Sequence, residues 1–499
     1  MSAIITDDFR KNNADAFVTA VNTLATDSPA SAGTGYYVGI GKSDPWSDDT
    51  TPPTPTGSEL ERQDILQNLI SMKLIDSSEV ERLLPKTSQT WSSGRKYKIY
   101  DTTDRTCFNQ TLSGGSITEY ACYAIYSNAL YLCLSNGAGS NSTVAPGDVT
   151  KSGGGTIAAT DGEIGEGGDN YIWVKIGGID TSGSQFKDST AFFEIPTNIT
   201  PPADSTQGLL YGFKIVNAGS GYTNDVLSAT LRYTQIDGTT DTATLFLKVE
   251  GTSVTEVIDI DSPSGGTLTL SDFEGFGVGA TNGIVKASID FNDSPEPSFV
   301  TQAVIQPLIA PAEGFGADNL DVFPSFYVGV ASDFEGVDND ETLIDTKFRQ
   351  VSIIKNPIID RTEDSPEEYS TINCLPYLSF SSLTTSTVES GSYLVVTSTG
   401  ERAWVDSVDS TNNRMYFHQN STWRSTQDAL PSTGEVKLYS PTDSLIETAT
   451  YSSIVGGEHD SSPSLSQLDV SGDVLMVQNI TPILRSSVQT EKVRIVLQF

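Results

Sequence analysis

Gly39-Ile40-Gly41-Lys42-Ser43 is the stretch of this 499-residue sequence that comes nearest to a phosphate-binding loop. Such a loop needs a glycine, four further residues and then Gly-Lys-Ser or Gly-Lys-Thr, because its backbone N–H groups must cradle phosphate oxygens. The first glycine should stand where Tyr36 does, and Asp44-Pro45 follows where a helix N-terminus should begin. The motif is incomplete, so we do not expect a nucleotide to bind here.

Three other glycine-rich stretches also fall short of a binding motif. Gly275-Phe276-Gly277-Val278-Gly279 and Gly314-Phe315-Gly316 lack the GxGxxG spacing of a dinucleotide site. They are more typical of tight turns, for which glycine supplies positive φ angles. The segment from Asn217 to Tyr222 is predicted to be a turn between strands, with Tyr222 as a packing anchor.

Acidic residues concentrate between Asp333 and Glu341, where Asp333, Glu335, Asp338, Asp340 and Glu341 stand close together. Their spacing around Gly336 does not match an EF-hand loop. A solvated acidic loop is the default interpretation, with a loose cation site as the alternative.

His418 and His459 are the two histidines, so a histidine-dependent triad would have to use one of them. Both stand in polar, loop-like surroundings without metal-type partners, and we expect both on the surface. Accidental carboxylate pairs are inevitable among 64 acidic residues, so a glycosidase-type pair has little weight. We predict no enzyme, no catalytic or metal-binding residue and no cofactor.

Four cysteines, Cys107, Cys122, Cys133 and Cys374, are too few for a disulfide framework in a chain of this length. Their spacings match no zinc pattern. Unpaired cysteine is among the most buried residue types, so buried reduced thiols are expected. A single disulfide is the alternative.

The formal net charge of −35 arises from 29 Lys and Arg against 64 Asp and Glu. Such a field repels nucleic acid phosphates and anionic membrane surfaces, so neither is expected as a partner. No apolar run is long enough to span a membrane. The first residues, 1–8, lack the basic and apolar regions of a signal peptide, so none is expected.

Helical patterns are predicted only near the N-terminus. One follows Thr6-Asp7, which are good N-cap residues, and ends before Pro29. A second covers roughly 58–84, where Ser58 and Glu61 have capping-box spacing. Two apolar stripes continue it to Pro85, with a break near 76–78.

Strands and turns account for almost everything else. Short apolar or alternating segments are separated by Ser, Thr, Gly and Asp, and Asp237-Gly238 between 231–236 and 243–249 indicates a hairpin. Segment 348–354 alternates and ends at Asn356-Pro357, as a core strand should, and the C-terminal strand is its predicted partner. The fold class is therefore mainly β with a few N-terminal helices, β-sandwich-like and multi-domain.

Several collinear segments carry a resemblance to a known family. They include Phe9-Arg10, 41–46, 84–91 with Tyr97, 168–173, 347–357, 472–479, Pro482-Ile483 and 489–499. In this order they resemble the baseplate wedge proteins encoded by gene eight of T-even-type contractile-tail bacteriophages. Asn170 departs from the family's Gly-Asp-Gly-Tyr-Val-Trp pattern. The recognisable segments cover under half of the chain.

The resemblance implies a mostly β protein in which one domain is inserted into another. It also implies a homodimer that contacts other wedge proteins in the virion tail baseplate, after assembly in the host cytoplasm. The stretches near 205–310 and 372–468 look like insertions whose roles are not implied. We predict a discontinuous core domain (1–105, 345–371 and 469–499), an inserted β domain (106–344) and a small β module (372–468).

Two functions follow as hypotheses. The first is a structural baseplate subunit that acts through protein–protein interfaces. The alternative is a carbohydrate-binding adhesin or tail-spike-like module, in which exposed Trp404 and Trp423 would stack on sugars. Core packing is the preferred interpretation of these two tryptophans, and Trp46 is likewise predicted to anchor a domain core.

Overall fold

A computed structural model gives the arrangement of most of the chain. It describes residues 5–26, 35–86, 88–151, 154–179, 183–197, 207–261, 268, 270–273, 283–291, 299–311, 313–334, 346–358, 371–424, 430–455, 471–485 and 489–499. Within these ranges the chain is mainly β, as predicted. None of the helices described there is both long and apolar enough to cross a membrane.

Helices are few among the described residues, and the two longer ones lie near the N-terminus. The helices are α1 (Asp7–Thr26), α2 (Glu59–Gln67), α3 (Leu270–Phe273), α4 (Asn319–Val322) and α5 (Ser421–Arg424). The Ser58 side chain accepts a hydrogen bond from the Glu61 backbone N–H, so Ser58 caps α2 as its spacing predicts.

The strands described in the first two thirds of the chain are short, apart from two of ten and eleven residues. They are β1 (Tyr36–Gly41), β2 (Leu69–Leu74), β3 (Val80–Pro85), β4 (Thr111–Ser113), β5 (Ser116–Glu119), β6 (Tyr123–Tyr126), β7 (Ala129–Asn136), β8 (Thr150–Lys151), β9 (Ile164–Glu166), β10 (Tyr171–Gly178), β11 (Phe192–Glu194), β12 (Leu210–Asn217), β13 (Val226–Gln235), β14 (Thr240–Glu250), β15 (Ser253–Ile260), β16 (Ile284–Asp290) and β17 (Val304–Ile309).

The remaining strands include the two longest. They are β18 (Tyr327–Phe334), β19 (Lys347–Ile358), β20 (Thr371–Asn373), β21 (Tyr377–Phe380), β22 (Tyr393–Val396), β23 (Arg402–Asp409), β24 (Arg414–His418), β25 (Gly434–Tyr439), β26 (Leu445–Val455), β27 (Ser471–Leu484) and β28 (Glu491–Gln498).

The chain divides into two compact units. The first comprises Met1–Ala14, Glu81–Val328 and Gln498–Phe499, and the second comprises Asp15–Val80 and Gly329–Leu497. The predicted core segment 1–105 is shared between the two units, since 1–14 and 81–105 lie in the first and 15–80 in the second, and 329–344 lies in the second unit as well.

The first unit contains two larger sheets. One has the order β6-β7-β10-β9-β8, and the other has the order β15-β14-β13-β16. The predicted hairpin is present, since β13 and β14 pair in antiparallel register around the turn at Gly238. In the first sheet Trp173 is fully buried and packs against Tyr97 and Tyr171. Asn170, just before β10, has φ of 61°, a conformation that asparagine tolerates in place of glycine.

A five-stranded sheet forms the centre of the second unit. Its order is β20-β2-β1-β19-β27. Every residue of β1 is buried, and Phe348 of β19 is 1% exposed, which confirms it as a core residue. The predicted partner of β19 is wrong: β19 pairs with β1 and β27, while the C-terminal strand β28 lies beside β18 in another sheet.

The second unit also contains a closed barrel of strand order β21-β24-β23-β22-β25-β26. These strands lie within 372–468, the stretch predicted to form a small β module. Alternate side chains fill the interior, among them Leu378, Leu394 and Phe417. Alternation turns the residue after Phe417, His418, to the outside of the barrel.

The second predicted helix is wrong beyond residue 67. Residues 69–74 form β2 and residues 80–85 form β3, where the sequence analysis extended the helix over two apolar stripes. A short apolar run cannot be assigned to helix or strand by periodicity alone. Pairing with the neighbouring strand β1 makes residues 69–74 a strand, with Met72 opposite Gly39 in an antiparallel ladder.

Candidate functional site

The candidate site is a buried group of charged side chains where the loop after β1 covers the barrel wall. Lys42, Ser43 and Asp44 of that loop meet Asp406 and His418 of the barrel. All of this lies in the second unit. We refer to these five residues as the ion cluster.

His418 is at the centre of the ion cluster. Its Nδ1 lies 2.9 Å from both carboxylate oxygens of Asp406, and its Nε2 lies 3.3 Å from Oδ1 of Asp44. Lys42 donates to Asp44 from the other side. The side chain of His418 is 2% exposed, so its prediction as a surface residue is wrong.

The charged forms of His418 and Asp44 stabilise each other in the ion cluster. Burial opposes protonation of His418, but Asp406 and Asp44 outweigh it and raise the pKa from 6.5 to about 9. Burial likewise opposes ionisation of Asp44, but His418 and Lys42 lower its pKa from 3.8 to about 2. At neutral pH the imidazolium of His418 therefore faces the carboxylate of Asp44.

This arrangement differs from that of a serine nucleophile with its base. Ser43 Oγ donates to Asp406, and both ring nitrogens of His418 are occupied by carboxylates. An imidazolium with a pKa of about 9 has no lone pair to accept a proton at neutral pH. The chemistry available to the cluster is therefore ion pairing between the β1 loop and the barrel.

Arg349 of β19 fixes the same loop through a second ion pair. Its guanidinium binds both carboxylate oxygens of Asp49, at 2.8 and 2.7 Å, and donates to the carbonyl of Ser43 at 2.5 Å. The hydrogen bond from Arg349 lowers the pKa of Asp49. A bidentate pair of this kind fixes orientation as well as distance, so the loop is held in one conformation.

Three further contacts attach the barrel to the elements around β1. Ser390 Oγ donates to the Ser43 carbonyl at 2.7 Å. The backbone N–H and hydroxyl of Ser421 both donate to Asp64 of α2, at 2.9 and 2.7 Å. The barrel is therefore joined to the five-stranded sheet by polar contacts as well as by the ion cluster.

Trp46 is half-buried and does not lie in the interior of a core. Its Nε1 donates to the carbonyl of Ile480 at 3.3 Å, and the Lys42 ammonium lies 4.9 Å from the centre of its ring. Trp46 thus anchors β27 to the β1 loop, with the Lys42 ammonium over its ring.

The glycines that suggested a phosphate loop are required by strand packing. Gly39 and Gly41 lie within β1, and a Cβ on Gly41 would lie 2.6 Å from the carbonyl oxygen of Asn68. A Cβ on Gly39 would lie 2.7 Å from both Leu69 and Ser352 side chains. The motif therefore reflects close approach of neighbouring strands.

A second feature of the same unit is the edge strand β27. Among the strands that the structure describes, β19 alone pairs with it. No side chain of residues 472–484 is buried, and Leu475, Ile483 and Leu484 are 50%, 38% and 51% exposed. Half of its 14 residues are large and apolar: Val474, Leu475, Met476, Val477, Ile480, Ile483 and Leu484.

Trp404 and Trp423 lie against each other on the outer side of the barrel. Their ring centres are 4.1 Å apart with an interplanar angle of 34°, and both are half-buried. Tyr393 packs against Trp423 at 5.9 Å. One face of each tryptophan is thus used in packing, but neither ring lies in the barrel core, so the core-packing prediction is wrong for both.

The other residues that the sequence assigned to turns and to packing have those roles where the structure describes them. Gly314 and Gly316 have φ of 88° and 93° in a turn around the fully buried Phe315, and Tyr222 is 1% exposed, as a packing anchor should be. His459, residues 275–279 and the acidic residues from Glu335 to Glu341 lie outside the described residues. Asp333, at the start of the acidic stretch, pairs with Lys492 at 3.1 Å.

Sequence reasoning missed most of the ion cluster. Asp44 lies hundreds of residues from Asp406 and His418, and no spacing connects them. In the parts of the chain that the structure describes, no group of three or more His, Cys, Asp and Glu side chains could hold a metal ion. A scan against protein-family models found no match, and no curated protein matched the sequence.

Proposed function

We propose that the chain is a structural subunit of a contractile phage tail baseplate wedge that acts through protein–protein interfaces, as a homodimer and with other wedge proteins. The observation that carries the proposal is the apolar edge strand β27, in which no side chain from 472 to 484 is buried among the residues that the structure describes. This strand includes residues 472–479, one of the segments on which the resemblance to wedge proteins rests.

The burial pattern of the central sheet supports an assembly role for β27. The side chains of β1 are buried throughout, and Phe348 and Ile353 of β19 are 1% and 0% exposed, yet the next strand has none buried among residues 472–484. Long apolar edge strands are normally blunted by charge, because their free backbone groups and side chains invite pairing. β27 has a single charged residue, Asp473.

Charge gives a second reason to place an interface at β27. The chain has a net charge of −35, so most faces of two copies repel each other. A nearly neutral apolar strand is a surface on which two acidic chains, or one chain and a complementary partner, can meet at low electrostatic cost. Burying large apolar side chains there contributes about 25 cal/mol per Å² removed from water.

The test compares two leucine substitutions of similar exposure. Leu475→Lys puts a charge on β27, and Leu445→Lys puts one on barrel strand β26. The Leu475 side chain is 50% exposed and the Leu445 side chain is 54% exposed. Light scattering of the purified full chain should give about twice the monomer mass of 53.4 kDa. Leu475→Lys should reduce this mass or prevent incorporation into tail particles, and Leu445→Lys should do neither.

Electron microscopy of tails made in the presence of each variant supplies the second readout. A wild-type protein that is strictly monomeric and never enters tail particles would overturn the proposed function. A wild-type protein that enters tails, with both variants behaving as wild type, would overturn only the assignment of β27 as the surface involved.

A further inference from the structure

We propose that Cys107 and Cys122 form a peroxide-reactive pair that closes reversibly to a disulfide. The pair lies in the first unit, whereas β27 belongs to the second, and its chemistry does not depend on the assembly role. Cys107 would be the attacked thiol and Cys122 the thiol that resolves it.

The two sulfur atoms are already neighbours. The Cys122 thiol donates to Cys107 Sγ at 3.5 Å, and the Cys122 backbone N–H donates to the Cys107 carbonyl at 2.9 Å. A disulfide requires an S–S distance of about 2.05 Å and adjacent backbones. The backbone hydrogen bond places the two residues on adjacent backbones, and the proposed closure shortens the 3.5 Å gap between their sulfur atoms.

Cys107 lies beside a cavity that Cys122 does not line. A cavity of about 590 Å³ has Cys107 in its wall, together with Asp101, Asp104 and Lys214. Cys107 is 5% exposed, whereas Cys122 is fully buried behind it. A small hydroperoxide can therefore approach Cys107 through the cavity and cannot reach Cys122 directly.

The surroundings of the two sulfur atoms also favour Cys107 as the attacked thiol and Cys122 as the resolving thiol. The hydrogen bond from Cys122 lowers the pKa of the Cys107 thiol, and burial raises the pKa of the Cys122 thiol. The thiolate is the nucleophile in peroxide reduction, so reactivity follows thiolate character and access. Both favour Cys107 as the first sulfur to react.

The reaction has two balanced steps. The Cys107 thiolate attacks one oxygen of the hydroperoxide, the O–O bond breaks, and the leaving oxygen takes up a proton to become an alcohol or water. Cys107 is then a sulfenic acid. The Cys122 sulfur attacks Cys107 Sγ, the S–O bond breaks, and water leaves with the proton from Cys122. Two thiols are oxidised and one peroxide is reduced.

Cys133 provides an internal comparison. It is fully buried on the adjacent strand β7, its thiol donates to the Ser135 carbonyl at 3.3 Å, and burial raises its pKa. It lines no part of the cavity. Cys133 should therefore remain a thiol under conditions that oxidise the pair.

The experiment treats the folded full chain with hydrogen peroxide, then denatures it and alkylates the remaining thiols for mass spectrometry. Wild type should retain two alkylated cysteines and yield a peptide linked between Cys107 and Cys122, reversed by dithiothreitol. Cys133→Ser should form the same link. Cys122→Ser should give a sulfenic acid at Cys107 that dimedone traps.

Alkylation of all four cysteines after peroxide treatment of the wild type would overturn the proposal. A disulfide that joins either residue to Cys133 or Cys374 instead would do the same. The wild-type result decides by itself, so a variant that fails to fold, as judged by circular dichroism, does not remove the test.

Discussion

Nε2 of His418 lies 3.3 Å from Oδ1 of Asp44, although 374 residues separate the two along the chain. The imidazole thus connects the loop after the first strand of the central sheet with the wall of a barrel formed near the C-terminus. Because the contact is buried and charged, its strength depends on pH and on having both partners present.

Raising the pH should weaken the second unit. The pKa of His418 is about 9 in the fold against 6.5 when unpaired, so its stabilisation is complete below about 6.5 and is lost as pH rises through 9. The folded state binds the extra proton in that window, so the free energy of unfolding falls, by roughly 3 kcal/mol at most. Urea titrations between these pH values measure the effect, and His418→Gln should show a flatter profile.

Replacing His418 alone should destabilise the fold more than replacing it together with its two carboxylate partners. His418→Ala leaves Asp406 buried without its cation and Asp44 with Lys42 as its remaining one, which should destabilise the fold by about 3–5 kcal/mol. A triple variant that combines Asp44→Asn, Asp406→Asn and His418→Leu removes both buried carboxylates, leaves Lys42 beside the ring of Trp46, and should recover part of that loss. Urea denaturation at neutral pH compares the two variants. Equal stability of the single and triple variants would show that the carboxylates are not held as charged groups.

A charge at Phe348 should disrupt the central sheet. Truncating a buried phenylalanine to alanine costs about 3–5 kcal/mol, and a buried carboxylate adds to this. Phe348→Asp should therefore lower the melting temperature strongly or prevent folding. Phe9→Asp is the matched control, because Phe9 is 55% exposed and should tolerate the change. Similar melting of the two variants would contradict the position of β19.

Gly41→Ala should destabilise the second unit without any ligand being involved. Its Cβ would lie 2.6 Å from the backbone oxygen of Asn68, which cannot move away as a side chain could. Overpacking of this kind costs about 1–3 kcal/mol. Gly434→Ala, whose nearest contact would be an ordinary 3.5 Å from Tyr451, should cost less in the same denaturation experiment. The order of the two midpoints is the measurement.

Trp423→Ala should act on barrel stability. The tryptophan pair contributes about 0.5–1.5 kcal/mol beyond its buried area, and its loss exposes Trp404 to water. A red shift of tryptophan emission and a lower denaturation midpoint are expected. A glycan-array signal present in the wild type and absent in Trp423→Ala would instead favour the carbohydrate-binding alternative.

The β-rich character of the chain could be predicted because it depends on local patterns. Alternation in 231–236 and 243–249 with Asp237-Gly238 between them is enough to define a hairpin, and Ser58 caps α2 through a neighbour three residues away. Residues 69–74 could not be assigned in this way, since a short, largely apolar segment fits both the helical and the strand period. The pairing with β1 determines that it is a strand.

The ion cluster could not be predicted, because it depends on long-range closure. His418 follows three buried residues of β24, and its polar neighbours Gln419 and Asn420 suggested a surface loop. His418 is buried because the β1 loop packs over that part of the barrel surface. Arg349 within an apolar strand was the one local sign that a carboxylate had to lie nearby.

The pairing of β27 with β19 has a consequence for protein synthesis. Gln478 lies opposite Val351, and Ile483 lies opposite Phe348. β19 therefore cannot pair with β27 until the ribosome has synthesised the whole barrel and then β27 itself. Because domains fold as units during translation, we infer that the barrel strands 377–455 close first. A nascent chain halted before residue 471 would then present β19, and not β27, as the unpaired edge available to chaperones or to premature association.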